Sequence, residues 1–262
     1  REFSLLAERE LTSGNWDDLA PSFAPDGKSI VFASNRSGSW DIWNMELNGE
    51  HLRQITKGDG DEFAPVYSPD GKEIAFLRSQ KPEARSQKDE TNFENLQSSI
   101  FNLQYSLWIM KNDGSSARQI TRNIPIKSYP AWNPNGKEIA YIAQGKDGYE
   151  ICIYNLESSK AQRLITTHDS QLTAHNPQNY PFKEFLYRIG YNPSGDKITF
   201  ESNRSGNIEI WTMKSNGTNL ARLTNGDSPH WNPIWSPDGK MIAYTTDKLG
   251  EEAGLHNWRN YN

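Results

Sequence analysis

Four of the five histidines, His168, His175, His230 and His256, fall in segments that link strand-like stretches. Neutral imidazole is a common metal ligand, so three of them converging would make a metal centre. No two stand at close ligand spacing, and solvated or hydrogen-bonding histidines account for them more simply. No metal and no cofactor is therefore expected. Asp17-Asp18 and the acidic run 59–62 are the other chemistry-bearing groups. Two carboxylates flanking a glycosidic bond are what glycoside hydrolysis needs, although acids at such entry points are more often turn formers. No Gly-x-Ser-x-Gly, His-Glu-x-x-His, Cys-x-x-Cys or phosphate-binding glycine loop occurs, which removes the commonest motif-marked chemistries and makes a stand-alone peptidase a poor reading. No catalytic set is expected.

The elements that would position these residues repeat. Residues 20–32 read APSFAPDGKSIVF, and residues 64–76, 129–141, 188–200 and 232–244 say nearly the same. Each copy has an aromatic, one residue, a Pro, a turn ending in Gly, and then Ile-x-aromatic. Asp26-Gly27, Asp70-Gly71, Asn135-Gly136 and Asp238-Gly239 suit a tight two-residue hairpin turn, and Ser194-Gly195 is the weakest of the five. The Ile-x-aromatic segments have period 2, one face buried. After each of the first four heads come two more strand-like stretches, as in Asp41–Glu46 and 52–56. Four-stranded units at a basic period of 44 residues, as between Pro25 and Pro69, predict an all-β fold, a β-propeller of antiparallel blades.

Length sets the blade count. At 262 residues and a formal net charge of −5, the chain reads as a single propeller domain spanning residues 1–262. The ends have room for one blade closure, and Arg9-Glu10-Leu11-Thr12 matches the outer-strand pattern Arg-Gln-Ile-Thr. Five blades are expected, with the N-terminal strand completing the last one, its third strand drawn from residues 254–262. An imperfect six-bladed ring is the alternative. Closure would leave no free sheet edge at the seam. Mild acidity argues against a nucleic-acid partner, and no apolar run is long enough to insert in a membrane. A lone cysteine, Cys152, excludes an internal disulfide. The chain opens on Arg1, which reads as trimming or processing with any signal peptide removed.

Two long intervals mark a face. Insertions at 79–106, between the second and third strands of blade 2, and at 167–186, between blades 3 and 4, both open on the same side of the disk. Long loops in a compact domain are usually functional or disordered. The residues expected to meet a partner there are Trp16, Asp17, Asp61, Glu62, Tyr129, His175, His230 and Trp231. Trp16 and Trp231 lack a counterpart in every repeat, whereas Trp43, Trp108 and Trp211 recur and should be core. Asn35-Arg36 and Asn203-Arg204 also recur, so Arg bonding to neighbouring backbone carbonyls is expected.

The heads, as in residues 67–76, YSPDGKEIAF, resemble the PD40 repeat of TolB-type propellers, and Ser-Asn-Arg-Ser-Gly and Arg-Leu-Thr fit the same family. The resemblance covers nearly the whole chain. It implies a bacterial, extracytoplasmic (periplasmic or secreted) protein that binds other proteins, here a monomeric, non-catalytic scaffold with a protein or peptide partner seated over the central pore. Related repeats also occur in peptidase propellers and in polysaccharide lyases that use a histidine-based metal site. A carbohydrate-active enzyme or a lectin-like sugar binder on the same face is therefore the alternative, since fold alone does not settle function.

Overall fold

The computed structural model describes residues 9–58, 60–79, 104–122, 125–146, 148–166, 188–246 and 257–260. Among them are five antiparallel sheets. Blade 1 is β1 (Asp18–Phe23), β2 (Ser29–Ser34), β3 (Asp41–Glu46) and β4 (Arg53–Gln54), paired in that order. Blade 2 is β5 (Glu62–Tyr67), β6 (Glu73–Ser79), β7 (Tyr105–Lys111) and β8 (Arg118–Gln119). Blade 3 is β9 (Ala131–Trp132), β10 (Glu138–Gly145), β11 (Gly148–Asn155) and β12 (Lys160–Thr166). Blade 4 is β13 (Ile189–Tyr191), β14 (Lys197–Ser202), β15 (Glu209–Lys214) and β16 (Ala221–Arg222). The fifth sheet has three strands, β17 (His230–Trp235), β18 (Met241–Thr246) and β19 (Asn257–Asn260). The first strands touch in the series β1, β5, β9, β13, β17 around the centre. The architecture is that of a propeller with four complete blades and a further three-stranded sheet.

The head turns close differently from the expectation. They are four-residue loops, not two-residue ones. Gly27, Gly71, Gly136, Gly195 and Gly239 each donate their N–H to the carbonyl three residues back at 2.8–2.9 Å. Only the glycine takes positive φ, at 67–76°. The Asx residue serves through its side chain instead. The Oδ1 atoms of Asp26, Asp70, Asn135 and Asp238 accept from the N–H of the lysine two residues on, at 2.8–3.1 Å. Pro at the second turn position pre-sets φ for this geometry. The residue before the Pro adds a second bond across the loop: Asn192 Oδ1 accepts from Lys197 N at 2.9 Å in the head that has Ser194 in place of the Asx, as Ser68 and Ser236 Oγ accept from Glu73 and Met241 N, both at 2.9 Å.

Three inner strands carry a bulge that the repeat did not announce. Register shifts fall at Leu19/Ser22, Phe63/Val66 and Trp231/Ile234. Ala20, Ala64 and Asn232, the first residues of their heads, have φ of 51–55° there, a left-handed conformation costly for non-glycine residues.

The core lies between blades. Val31, Ala33 and Ile42 of blade 1 share a buried cluster with Ile74 and Phe76 of blade 2, which continues to Ile139, Tyr141 and Cys152 of blade 3. A second cluster joins Ala140, Ile142, Ile151 and Ile153 to Ile198, Phe200 and Met213 of blade 4. Cys152 is free and buried, and burial pushes its thiol up to about 11. The recurrent threonine after the outer strand is a clasp. Thr56, Thr121 and Thr224 Oγ1 accept from the N–H of Ile42, Leu107 and Ile210 at 2.8–2.9 Å, satisfying a third-strand donor beyond the short outer ladder.

The N-terminal stretch is described from residue 9, and residues 9–13 carry no ladder. Leu11 nonetheless packs on Ile30, Phe32 and Met45, and Thr12 hydrogen-bonds the Asp18 carboxyl much as Thr56 bonds Glu62. β1 and β17, at the two ends of the inner series, leave Phe23 and Ile234 66% and 63% exposed.

Candidate functional site

Two features compete for charged residues at the face where second strands end and first strands begin. One is structural. Asp18 and Glu62 occupy the same repeat position, and each receives an arginine from the end of its own second strand. Arg36 Nη2 donates to both Asp18 oxygens at 2.7 and 2.8 Å, and its guanidinium lies 5.0 Å from the Trp16 and Trp43 rings and 5.4 Å from Phe32. Arg78 donates to Glu62 Oε1 through Nε at 2.8 Å and stands 4.3 Å over Trp108 and 5.4 Å from Phe76. Arg204 repeats the stacking on Phe200 and Trp211, and its Nε donates to Ser202 Oγ at 3.0 Å; burial lowers its pKa. The recurring arginines therefore engage rings and side-chain oxygens inside a blade, a carboxylate for Arg36 and a hydroxyl for Arg204, not neighbouring carbonyls as expected. A guanidinium needs no fixed partner for its flat face, so carboxylate and ring can be satisfied at once.

The expected contact residues divide accordingly. Glu62 is 0% exposed and is held by Arg78 and Thr56; burial raises its pKa, with Thr56 and Arg78 pulling the other way. Asp61 is buried, with Trp40 N donating to its Oδ1 at 3.3 Å. His230 takes the same repeat position on the fifth sheet, its Nδ1 2.9 Å from Glu209 Oε2 and its ring edge-on to Tyr244. These three are engaged within the fold. Asp17 exchanges bonds with Asn35, donating N–H to Oδ1 at 2.8 Å and accepting from Nδ2 at 3.2 Å. Trp16 is exposed and Trp231 half-buried. His175, with His168 and His256, lies outside the described residues. Among the described residues the one grouping of three metal-capable side chains is Glu46, Glu50 and His51, exposed around a turn that joins third to fourth strand.

The second feature is a cavity of about 470 Å³ between the inner strands. β1, β5, β9 and β13 wall it, chiefly with proline and aromatic side chains, and Tyr129 lies in its lining. Arg188 is the one charged residue among the described residues lining it, its guanidinium 3.8 Å over the Tyr129 ring. Burial raises the Tyr129 phenol pKa, an effect the Arg188 charge opposes. Beside Arg188 is a buried acid, Glu201, which accepts the N–H of Asn232 at 2.5 Å and that of Arg188. Desolvation pushes Glu201 up to about 7.

Sequence reasoning passed over Arg188 and Glu201, though both break a repeat column. Arg188 stands where the other heads have Ala20, Ala64, Tyr129 and Asn232. Glu201 stands where the other second strands have Ala33, Leu77, Ile142 and Thr245. A charge in a column of apolar or neutral residues was the available signal.

Known proteins share this architecture. An uncharacterized protein of Agrobacterium fabrum is 25% identical over 141 residues, covering 54% of this chain and 43% of its own length. A TolB homolog of Chlorobaculum tepidum is 42% identical over 57 residues, 22% of this chain and 13% of the homolog. The chain thus spans less than half of either curated relative. The solved structure of a putative TolB from Agrobacterium tumefaciens superposes with a TM-score of 0.66 at 20% identity, over 92% of this chain and 75% of that one. The PD40 family, described as the TolB beta propeller domain, matches residues 4–102 and 91–254, a span that takes in all five heads. By its repeated heads and the blades they build, the chain belongs to the PD40 family of TolB β-propellers.

Proposed function

We propose that the chain is a non-catalytic, TolB-like interaction scaffold that holds a protein or peptide partner on the loop-rich face, over the central cavity. The supporting observation is the division of labour just described. Asp18, Glu62 and His230 are tied to partners within the fold, while Trp16 keeps an exposed edge, Trp231 is half-buried, and Tyr129 lines an apolar cavity whose one cation among the described residues is Arg188. Aromatic anchors around a rigid depression are what a contact surface uses. Asp17 borders the same surface. The reading carries a monomer, an extracytoplasmic location and no nucleic-acid partner with it. The test places a photo-crosslinker at position 231 or, on the opposite face, at Asp113. Adducts formed from position 231 alone are expected, with Trp231→Ala weakening capture at least tenfold. Equal labelling from both positions would remove the face assignment.

The same reading makes the ring five-bladed, with residues 9–12 serving as the outer strand of the fifth sheet. Leu11 supports it by lying against Gly49 as Ile55 lies against Gly114 and Leu164 against Gly217. Leu11→Ala should then cost about 1–2 kcal/mol in urea unfolding, whereas Leu220→Ala, at an exposed site, should cost nothing measurable. A six-bladed ring would instead seat a further sheet against Phe23 and Ile234.

A further inference from the structure

The inner strand of every blade is a sheet edge, and an unpaired edge is a template for another extended chain. Proline blunts such an edge by removing a donor. Here Pro21 lies in β1, Pro65 in β5 and Pro233 in β17, while Pro130 leads into β9. β13 contains none. Its register leaves it open as well. Asn192 N bonds Lys197 O, so in an alternating ladder Gly190 pairs with Thr199 and the N–H and C=O groups of Ile189 and Tyr191 point away from β14. Gly190 adds space, since nothing lies within 4 Å of where a Cβ would stand. At the start of this edge is Arg188, the one charge among the described residues that line the cavity. Among the described residues no carboxylate lies within ion-pair distance of its guanidinium, and the neighbouring Glu201 is held toward its neutral form by burial.

These facts deepen the scaffold reading and rest on it. We propose that the inner edge of β13 receives the C-terminal end of an apolar peptide, whose main chain pairs with Ile189 and Tyr191 while its terminal carboxylate is taken by Arg188. The occupant is argued from charge complementarity and from the walls. Phe23, Tyr67 and Tyr191 with Pro21 and Pro65 favour apolar side chains, and a single guanidinium asks for a single carboxylate in a charge-assisted, two-point bond. The stack on Tyr129 fixes the guanidinium plane before the ligand arrives, which lowers the ordering cost of binding.

The experiment uses the full chain and tetrapeptides drawn from Ala, Val, Leu and Phe, anchored by their N-termini, each made as free acid and as amide. Several acids should bind at least tenfold more tightly than their amides. Arg188→Gln should abolish that preference with the melting temperature unchanged, and Arg188→Lys should restore part of it. N-methylation of the peptide nitrogen that pairs with β13 should weaken binding tenfold, and methylation at the next nitrogen should not. Acids and amides binding alike, or an acid preference that survives Arg188→Gln, would overturn the carboxylate assignment. Indifference to methylation at every position would overturn the strand pairing. Retention of no acid at all would overturn both, yet leave crosslinking through position 231 as a separate result for the scaffold reading.

Discussion

Replacing Glu62 by alanine is expected to cost about 3–5 kcal/mol of stability, the range for stripping one partner from a buried ion pair. Glu62 is fully buried, and Arg78 is fixed between its carboxylate and the Phe76 and Trp108 rings. Removal leaves that guanidinium without a counter-charge, and Thr56 Oγ1 loses its acceptor. The intact pair is no large stabiliser by itself, because burial already pushes the Glu62 carboxyl above its ordinary value. The cost comes from breaking it on one side. Glu62→Gln keeps an acceptor for Thr56 or Arg78 and should lose about half as much. Urea unfolding followed by tryptophan fluorescence at neutral pH measures both. A loss below about 1 kcal/mol for the alanine variant would mean that the pair is not the clip within blade 2 described above, and would return Glu62 to the list of ligand-facing groups.

Glu201→Gln is expected to stabilise the protein at alkaline pH and to do little in acid. Desolvation raises the Glu201 carboxyl from 4.5 to about 7, against the backbone N–H groups of Asn232 and Arg188 and the Arg188 charge, which favour ionisation. The folded form thus holds this proton more tightly than the unfolded chain does. The stability that follows is present in full below about pH 4.5 and is lost as pH rises through about 7. For this group alone the loss is about 3 kcal/mol between those limits. Glutamine remains neutral and escapes it, so the advantage of the variant should grow from near zero at about pH 4 to about 3 kcal/mol at about pH 8. Stability curves measured across that range should diverge. Parallel curves would show that Glu201 ionises normally, and that the cavity has a balanced charge beside Arg188.

The blades were legible because their signals are local and repeated. Five heads with Pro, Gly and Ile-x-aromatic leave little freedom for another fold, and the strands formed where the alternation placed them. The turn type was misread for a reason that lies in one residue. Asp-Gly suits a two-residue turn, but the preceding Pro, with its fixed φ, draws the chain into a longer loop in which Asp acts through its side chain. The bulges at Ala20, Ala64 and Asn232 left no trace in composition, since alanine gives no warning of positive φ. The site was harder still. Glu62, Asp61 and His230 look like surface acids and a loop histidine in the linear chain, and only the blade packing shows them inward. Arg188 and Glu201 stand opposite each other one step beyond the Ile189–Phe200 pair of a single head hairpin, and each stood out in its own column, but burial beside the cavity is what the linear chain did not show.

The buried clusters are unequal. The larger ties blades 1, 2 and 3 together, and the second joins blade 3 to blade 4. A ring built this way need not open all at once. Nearest-neighbour stacking makes each blade's persistence depend on the sheets beside it, so blades 1 to 3, which share the larger cluster, should hold until last. The cavity straddles that gradient, with β5 and β9 on its firm side and β13 on the other. An occupant touching both sides would bind the weakly held sector to the firm one, and part of its binding energy would be spent suppressing fluctuations instead of appearing as affinity.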